Sequence, residues 1–175
     1  MTQPLHGPES LFAKLESLGI SVETVEHPAV FTVEESQELR GELPGAHSKN
    51  LFLRNKKGQM WLVVSIESRQ IDLKTLGKVI GAGKVSFGSP DRLMEFLGVI
   101  PGSVTPFAAI NDENNAVQVV LDSGFLDFDR ANFHPLVNTM TSAIAPKDLL
   151  AFLEAVGHPA SLLDLGNLEA LLPQE

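Results

Sequence analysis

Two apolar runs a few residues apart constrain this chain more than any other feature. Leu51-Phe52-Leu53 is followed by Arg54, a basic turn over Asn55-Lys56-Lys57-Gly58, and then Gln59-Met60-Trp61-Leu62-Val63-Val64-Ser65. β-branched and aromatic residues on both sides of an Asn/Gly turn predict two strands joined by a short connection. The first run is preceded by Ala46-His47-Ser48-Lys49-Asn50, which places Lys49 and Asn50 at the mouth of a strand, where a rigid element can hold polar groups. A lysine there is a compact charge with three donors, suited to a phosphate or a carboxylate. From these residues alone the plainer reading is a solvated lysine ahead of an edge strand, because most lysines are simply solvated.

The 175 residues fit one domain able to bury a core without staples. There is no cysteine, which excludes disulfides, thiolate metal sites and a cysteine nucleophile. No apolar run approaches the roughly 20 residues of a membrane span. Met1-Thr2-Gln3-Pro4-Leu5-His6-Gly7 has neither a basic nor an apolar leader region. The expectation is a cytoplasmic protein without membrane contact. The net charge of −9 argues against general nucleic-acid binding, DNA included. Its distribution says otherwise locally. From Lys49 to Arg92 there are nine basic residues against three acidic ones, a net of +6, so the remainder carries −15. Either one basic face meets a polyanion, or these residues are the outer faces of helices.

The remaining pattern reads as helices and strands intermixed, without a βαβ rhythm. Helices are expected at residues 9–18, from Thr32 with its capping box to Arg40, at 72–80, at 90–97 with Pro90 at the first turn, and at 146–156. Strands are expected at 20–25, 85–87, 107–110 and 117–121, and 136–144 reads as extended and β-prone. Residues 99–107 hold two prolines and a glycine and make a constrained loop whose backbone can face a ligand. Residues 125–133 read as a connection, and the tail after Gly157 as a last short element or a frayed end. The sum is one α+β domain around a mixed sheet, with its core at about 8–157 and an extension over 158–175.

Familiar catalytic patterns are missing. The five histidines show no HExxH or paired-ligand spacing, so no metal is expected. There is no GxSxG elbow, Walker A loop or GxGxxG. Gly81-Ala82-Gly83-Lys84 reads as a helix stop, and Asp127 and Asp129 as solvated loop carboxylates. Lys49-Asn50, the Gly102 to Pro106 loop and His134-Pro135 remain. By spacing alone they amount to a cation, a backbone-lined loop and an imidazole.

Four segments in this order, His27-Pro28-Ala29-Val30-Phe31-Thr32-Val33-Glu34-Glu35, Lys49-Asn50-Leu51-Phe52-Leu53, Pro101-Gly102-Ser103-Val104-Thr105-Pro106-Phe107 and Asn132-Phe133-His134-Pro135-Leu136, resemble the YbaK/ProRS-associated aminoacyl-tRNA deacylase family. The resemblance runs from about Leu11 to Val156 and is closest to the free-standing alanyl-tRNA(Pro) deacylases. It implies a mixed, curled β-sheet flanked by helices, and hydrolysis of the ester between a wrong amino acid and the terminal adenosine of tRNA(Pro). It maps the family lysine onto Lys49, its asparagine onto Asn50, the GxxxP loop onto Gly102 and Pro106, and the pocket histidine onto His134. Lys49 and Gly102 would be catalytic. Asn50, Ser103, Pro106 and His134 would bind substrate. No cofactor is implied. The partners would be the tRNA acceptor stem and prolyl-tRNA synthetase. The Gly-Ser-Val-Thr-Pro form of the loop is similar to that of the alanine-directed group. Deacylation of another small amino acid, serine or cysteine, and a non-catalytic aminoacyl-tRNA-binding module are the alternatives.

Overall fold

The computed structural model describes residues 6–28 and 44–172. The expected Thr32 helix lies outside them. The elements are α1 (Pro8–Ser17), β1 (Glu23–Glu26), β2 (Ala46–Asn55), β3 (Met60–Ile66), α2 (Leu73–Val79), β4 (Val85–Phe87), α3 (Pro90–Leu97), β5 (Val117–Asp122), β6 (Ala131–Phe133), β7 (Met140–Ile144), α4 (Pro146–Ala155) and β8 (Ser161–Leu163). Among these residues no helix is long and apolar enough to cross a membrane.

The strands form one mixed sheet in the order β1-β7-β6-β2-β3-β5-β8, with β4 paired to β2 off this path. Its centre is the expected hairpin. β2 and β3 pair antiparallel from Ser48 opposite Ile66 to Arg54 opposite Met60. Successive side chains of a strand alternate between faces. Accordingly Phe52, Leu62 and Val64 join one apolar cluster, while Leu53, Trp61 and Val63 join another on the opposite face. The first cluster is closed by α1, α3, α4 and the 106–110 segment, the second by α2 and the C-terminal segment. Burying a side chain of the size of Leu62 or Val63, both fully covered, contributes about 1.5–3 kcal/mol.

Three regions depart from the sequence reading. Phe107–Ile110 is not a strand. Pro106–Asn111 is a 3₁₀ helix, begun by Pro106 and by Thr105 Oγ1, which accepts from the Phe107 N–H at 3.3 Å. Residues 106–110 are all buried, and an apolar run covered on every side has no periodicity to separate helix from strand. The expected connection at 125–133 contains a 3₁₀ turn, Ser123–Asp127, and the central strand β6. Only Met140–Ile144 of 136–144 is extended, because Leu136 takes a left-handed φ of 72°. For the tail, the first of the two expected alternatives, a last short packed element, is what forms over its described part. β8 pairs parallel to β5, and a 3₁₀ segment, Leu165–Leu171, buries Leu165 and Leu168.

Candidate functional site

The site begins at an edge of β2. One side of this strand is paired to β3 throughout Ser48–Arg54. The other side pairs with β6 only at Ala46 and His47, and with β4 only at Leu53–Asn55. Among the described residues no strand pairs with that side between these two ladders. Gly88 N–H donates to Phe52 O there at 2.9 Å, while His47 O accepts from Glu67 N on the β3 side. Even-numbered residues of β2 therefore turn their backbone groups to the open side, and Asn50 N–H and C=O face it. The adjacent Lys49 and Asn50 sit on opposite faces of the sheet. Lys49 opposes Ser65 on the Trp61 face, and Asn50 opposes Val64 on the Phe52 face. A ligand touching both has to straddle this edge.

Lys49 is half-buried and its Nζ donates to the Arg69 carbonyl. An ammonium has three donors, so two stay available. Asn50 Nδ2 donates to Ser48 Oγ at 3.2 Å, and Ser48 Oγ donates to Asn132 O at 3.1 Å. Asn50 Oδ1 is buried with no hydrogen-bond partner. Asn132 pairs with His47 in the parallel β2–β6 ladder. His134 and Lys49 each lie two residues along the chain from that pair.

His134 Nδ1 faces Met140 O at 2.9 Å. A carbonyl only accepts, so Nδ1 carries the proton and Nε2 is an acceptor. Burial pushes the imidazole pKa below its usual value. The Met140 hydrogen bond opposes this, and His27 reinforces it. A neutral ring at pH 7 follows. His27 lies 6.1 Å away between ring centroids. Its Nδ1 donates to Pro28 O at 2.8 Å, and its Nε2 and Thr141 Oγ1 share a hydrogen bond at 2.8 Å.

The Gly102 loop approaches the segment that follows His134. Pro101–Ser103 form a 3₁₀ turn in which Gly102 is exposed and Ser103 buried. A Cβ on Gly102 would stand 3.3 Å from Asn138 Nδ2. Ser103 Oγ and Asn138 Nδ2 are both buried without partners. A buried polar atom left unpaired costs about 1–3 kcal/mol, so these two call for an explanation and make the turn and Asn138 a candidate contact for a polar ligand. Pro106, buried, fixes the far end of the loop. Asn138 and His27 belong beside the residues singled out from sequence. His27 stood in a visible His-Pro segment, whereas nothing in sequence distinguished Asn138.

The model of the aminoacyl-tRNA editing domain family matches residues 27–152. The chain belongs to this family. All the residues above, from His27 to Thr141, fall within the match. Prolyl-tRNA synthetase associated domain-containing protein 1 of Mus musculus is 42% identical over 156 residues, covering 86% of this chain and 92% of the relative. The prolyl-tRNA editing protein ProX of Acetoanaerobium sticklandii is 38% identical over 158 residues, covering 90% and 96%. A crystal structure provisionally described as a trans-editing enzyme for prolyl tRNA synthetase shares the fold. Its TM-score is 0.69 at 23% identity, over 92% of this chain and 98% of that one.

Two polar clasps brace the site of this editing domain. Asp122, fully buried, accepts from Ile66 N and Arg69 Nε at 3.1 Å each and from Gly124 N at 3.0 Å. The Arg69 guanidinium runs between Gly124 and Gly166, where any Cβ would collide with it. The C-terminal segment thereby helps to hold the residue whose carbonyl receives Lys49. The second clasp joins buried Asp112 to His158 Nε2 at 2.9 Å, while His158 Nδ1 faces Val156 O at 3.1 Å. Both ring nitrogens of His158 are thus within hydrogen-bond distance of an oxygen. The clasp ties the tail to the end of the 106–111 helix.

Proposed function

We propose that this protein is a trans-acting deacylase that hydrolyses mischarged tRNA(Pro), with alanyl-tRNA(Pro) as its main substrate, in the compartment where prolyl-tRNA synthetase works, the cytoplasm. The observation that carries this reading is the meeting of the Gly102 turn with unpartnered Ser103 Oγ and Asn138 Nδ2. This polar, backbone-lined wall has no strong protein nucleophile.

An aminoacyl ester needs none. It is already activated, so rate comes from placing water and stabilising charge on the tetrahedral centre. In this reading Lys49 holds the terminal phosphate with its remaining donors, and Asn50 contacts the adenosine end across the β2 edge. Backbone groups at Gly102 and the Ser103 hydroxyl position the water and the ribose hydroxyl. Water attacks the carbonyl carbon, the ester C–O bond breaks, and the ribose oxygen takes up a proton. The products are the free amino acid and an intact tRNA 3′ end. His134, neutral and held by Met140, walls the amino-acid pocket together with Pro106. A rigid wall makes a larger side chain costly, so alanine enters and proline does not. Mischarging by prolyl-tRNA synthetase would supply the substrate.

The test is release of alanine from alanyl-tRNA(Pro) by the purified protein, beside seryl-, cysteinyl- and prolyl-tRNA(Pro). Turnover of the alanyl ester with prolyl-tRNA spared is expected. Lys49→Ala should remove most of the activity while the unfolding transition stays close to wild type, and His134→Ala should narrow the gap between alanyl and larger esters. Tight binding without turnover would make the protein a carrier module. Full activity in Lys49→Ala would remove the phosphate anchor from the scheme.

A further inference from the structure

Phe87 is 61% exposed, the most exposed large apolar side chain among the described residues. It ends β4, which among the described residues pairs with no strand but β2. Val85 and Phe87 point to the same face, and Val85 is covered by the second apolar cluster while Phe87 is not. Edge strands normally carry charge or proline where they meet solvent, because exposed apolar edges template association. An aromatic ring left there fits a partner with a flat apolar surface.

Its surroundings name the partner. β4 pairs with Leu53, Arg54 and Asn55, the last opposite Val85, so Lys84 and Lys56 each adjoin the final pair of that ladder. Asn55 Nδ2 donates to Ala82 O at 3.1 Å, pinning the 81–84 turn to the hairpin turn that carries Lys56 and Lys57. Lys78 is exposed on the adjoining α2. No Asp or Glu occurs at 43–66 or 73–90, although the whole chain carries −9. An exposed aromatic ring among lysines is the composition of a nucleic-acid stacking platform.

We propose that the β4 edge is such a platform: Phe87 stacks on an unpaired base of the substrate's 3′ end next to the duplex stem, and Lys56, Lys57, Lys78 and Lys84 hold the phosphates of the stem. This rests on the reading that Lys49 holds the terminal phosphate. Strand geometry sets the spacing. Leu53, opposite Phe87, lies four residues along β2 from Lys49 and on the same face. At about 3.3 Å per residue that is roughly 13 Å, or about four stacked nucleotides at ~3.4 Å each. The unpaired end of a tRNA meets its stem at about that distance from the terminal adenosine. Lys56, one residue past the end of β2, lies farther from Lys49 in the same direction, over the stem.

The experiment measures steady-state deacylation of two alanyl esters by wild type, Phe87→Ala and Phe87→Trp. One ester is on an acceptor-stem minihelix and the other on a CCA trinucleotide that ends short of the platform. Phe87→Ala is expected to raise KM for the minihelix by about 5-fold or more with kcat unchanged, and to leave the trinucleotide unaffected. Phe87→Trp should keep the wild-type KM. An unchanged minihelix KM in Phe87→Ala overturns the proposal, as does an equal loss on both substrates. If wild type hydrolyses neither ester, the deacylase reading fails, and anisotropy of labelled, uncharged minihelix decides the platform separately. Weaker binding by Phe87→Ala supports it, and equal binding overturns it.

Discussion

Asp122→Ala tests whether the buried clasp behind Lys49 stabilises the sheet as its geometry implies. The carboxylate is fully buried and receives two backbone N–H groups, Ile66 and Gly124, in addition to Arg69 Nε. Removing one member of a buried ion pair costs about 3–5 kcal/mol. The Arg69 side chain is 29% exposed, so its guanidinium can be rehydrated and its share falls. The two orphaned N–H groups add about 1 kcal/mol or more each. The net expectation is about 3 kcal/mol. Urea unfolding can be followed by fluorescence of Trp61, the sole tryptophan, buried on β3. With a urea slope of about 2 kcal/mol/M, the midpoint should drop by roughly 1.5 M. Asp122→Asn keeps one carbonyl oxygen and should fall between the variant and wild type. A shift below about 0.5 M for Asp122→Ala, on the same slope, would mean that the clasp is a surface contact, and the account of how Lys49 is held would fail with it.

Two further predictions concern pH. The His134 ring, followed by NMR, should titrate below 6.5, because burial lowers its pKa more than the Met140 hydrogen bond raises it. The unfolded chain then takes up this proton first, so the His134 contribution to stability declines as pH falls below about 6.5 and levels off beneath the folded pKa. A midpoint at or above 6.5 contradicts the buried neutral ring. Burial works to raise the Asp112 pKa, but hydrogen bonds from His158, Val117 N and Ala116 N outweigh it and hold the carboxyl below its ordinary 3.8. Its stabilising contribution is therefore present above the unfolded carboxylate pKa and lost as pH falls through the folded one. Asp112→Asn should flatten the pH dependence of the unfolding midpoint below about pH 4. An unchanged acid limb would locate acid sensitivity elsewhere.

Local rules were enough for much of this architecture. The β2–β3 hairpin followed from β-prone runs around an Asn/Gly turn. Helix α3 followed from Ser89-Pro90, and Ser89 Oγ does accept from Arg92 N at 3.1 Å. Lys49, Gly102, Pro106 and His134 were picked out by motifs, each a short contiguous segment. The 3₁₀ helix at 106–111 was misread because burial from all sides erased its period. Strand β6 was missed because three residues carry too little pattern to announce a central strand.

Sequence alone determined the element types with a strong local cause, the absence of any thiol chemistry, and the identity of the residues offered to the site. Tertiary structure decided which of them meet. The pleat of β2 turns the neighbours Lys49 and Asn50 to opposite faces, and the gap between β6 and β4 opens the edge where both can be reached. The fold also brings Asn138 to Gly102, His27 to His134, and Gly166 of the C-terminal segment over Arg69. The physical reason is range. Caps, turns and periodicity act over a few residues, whereas these contacts join positions far apart in the chain, and only packing of the whole sheet sets which of them coincide.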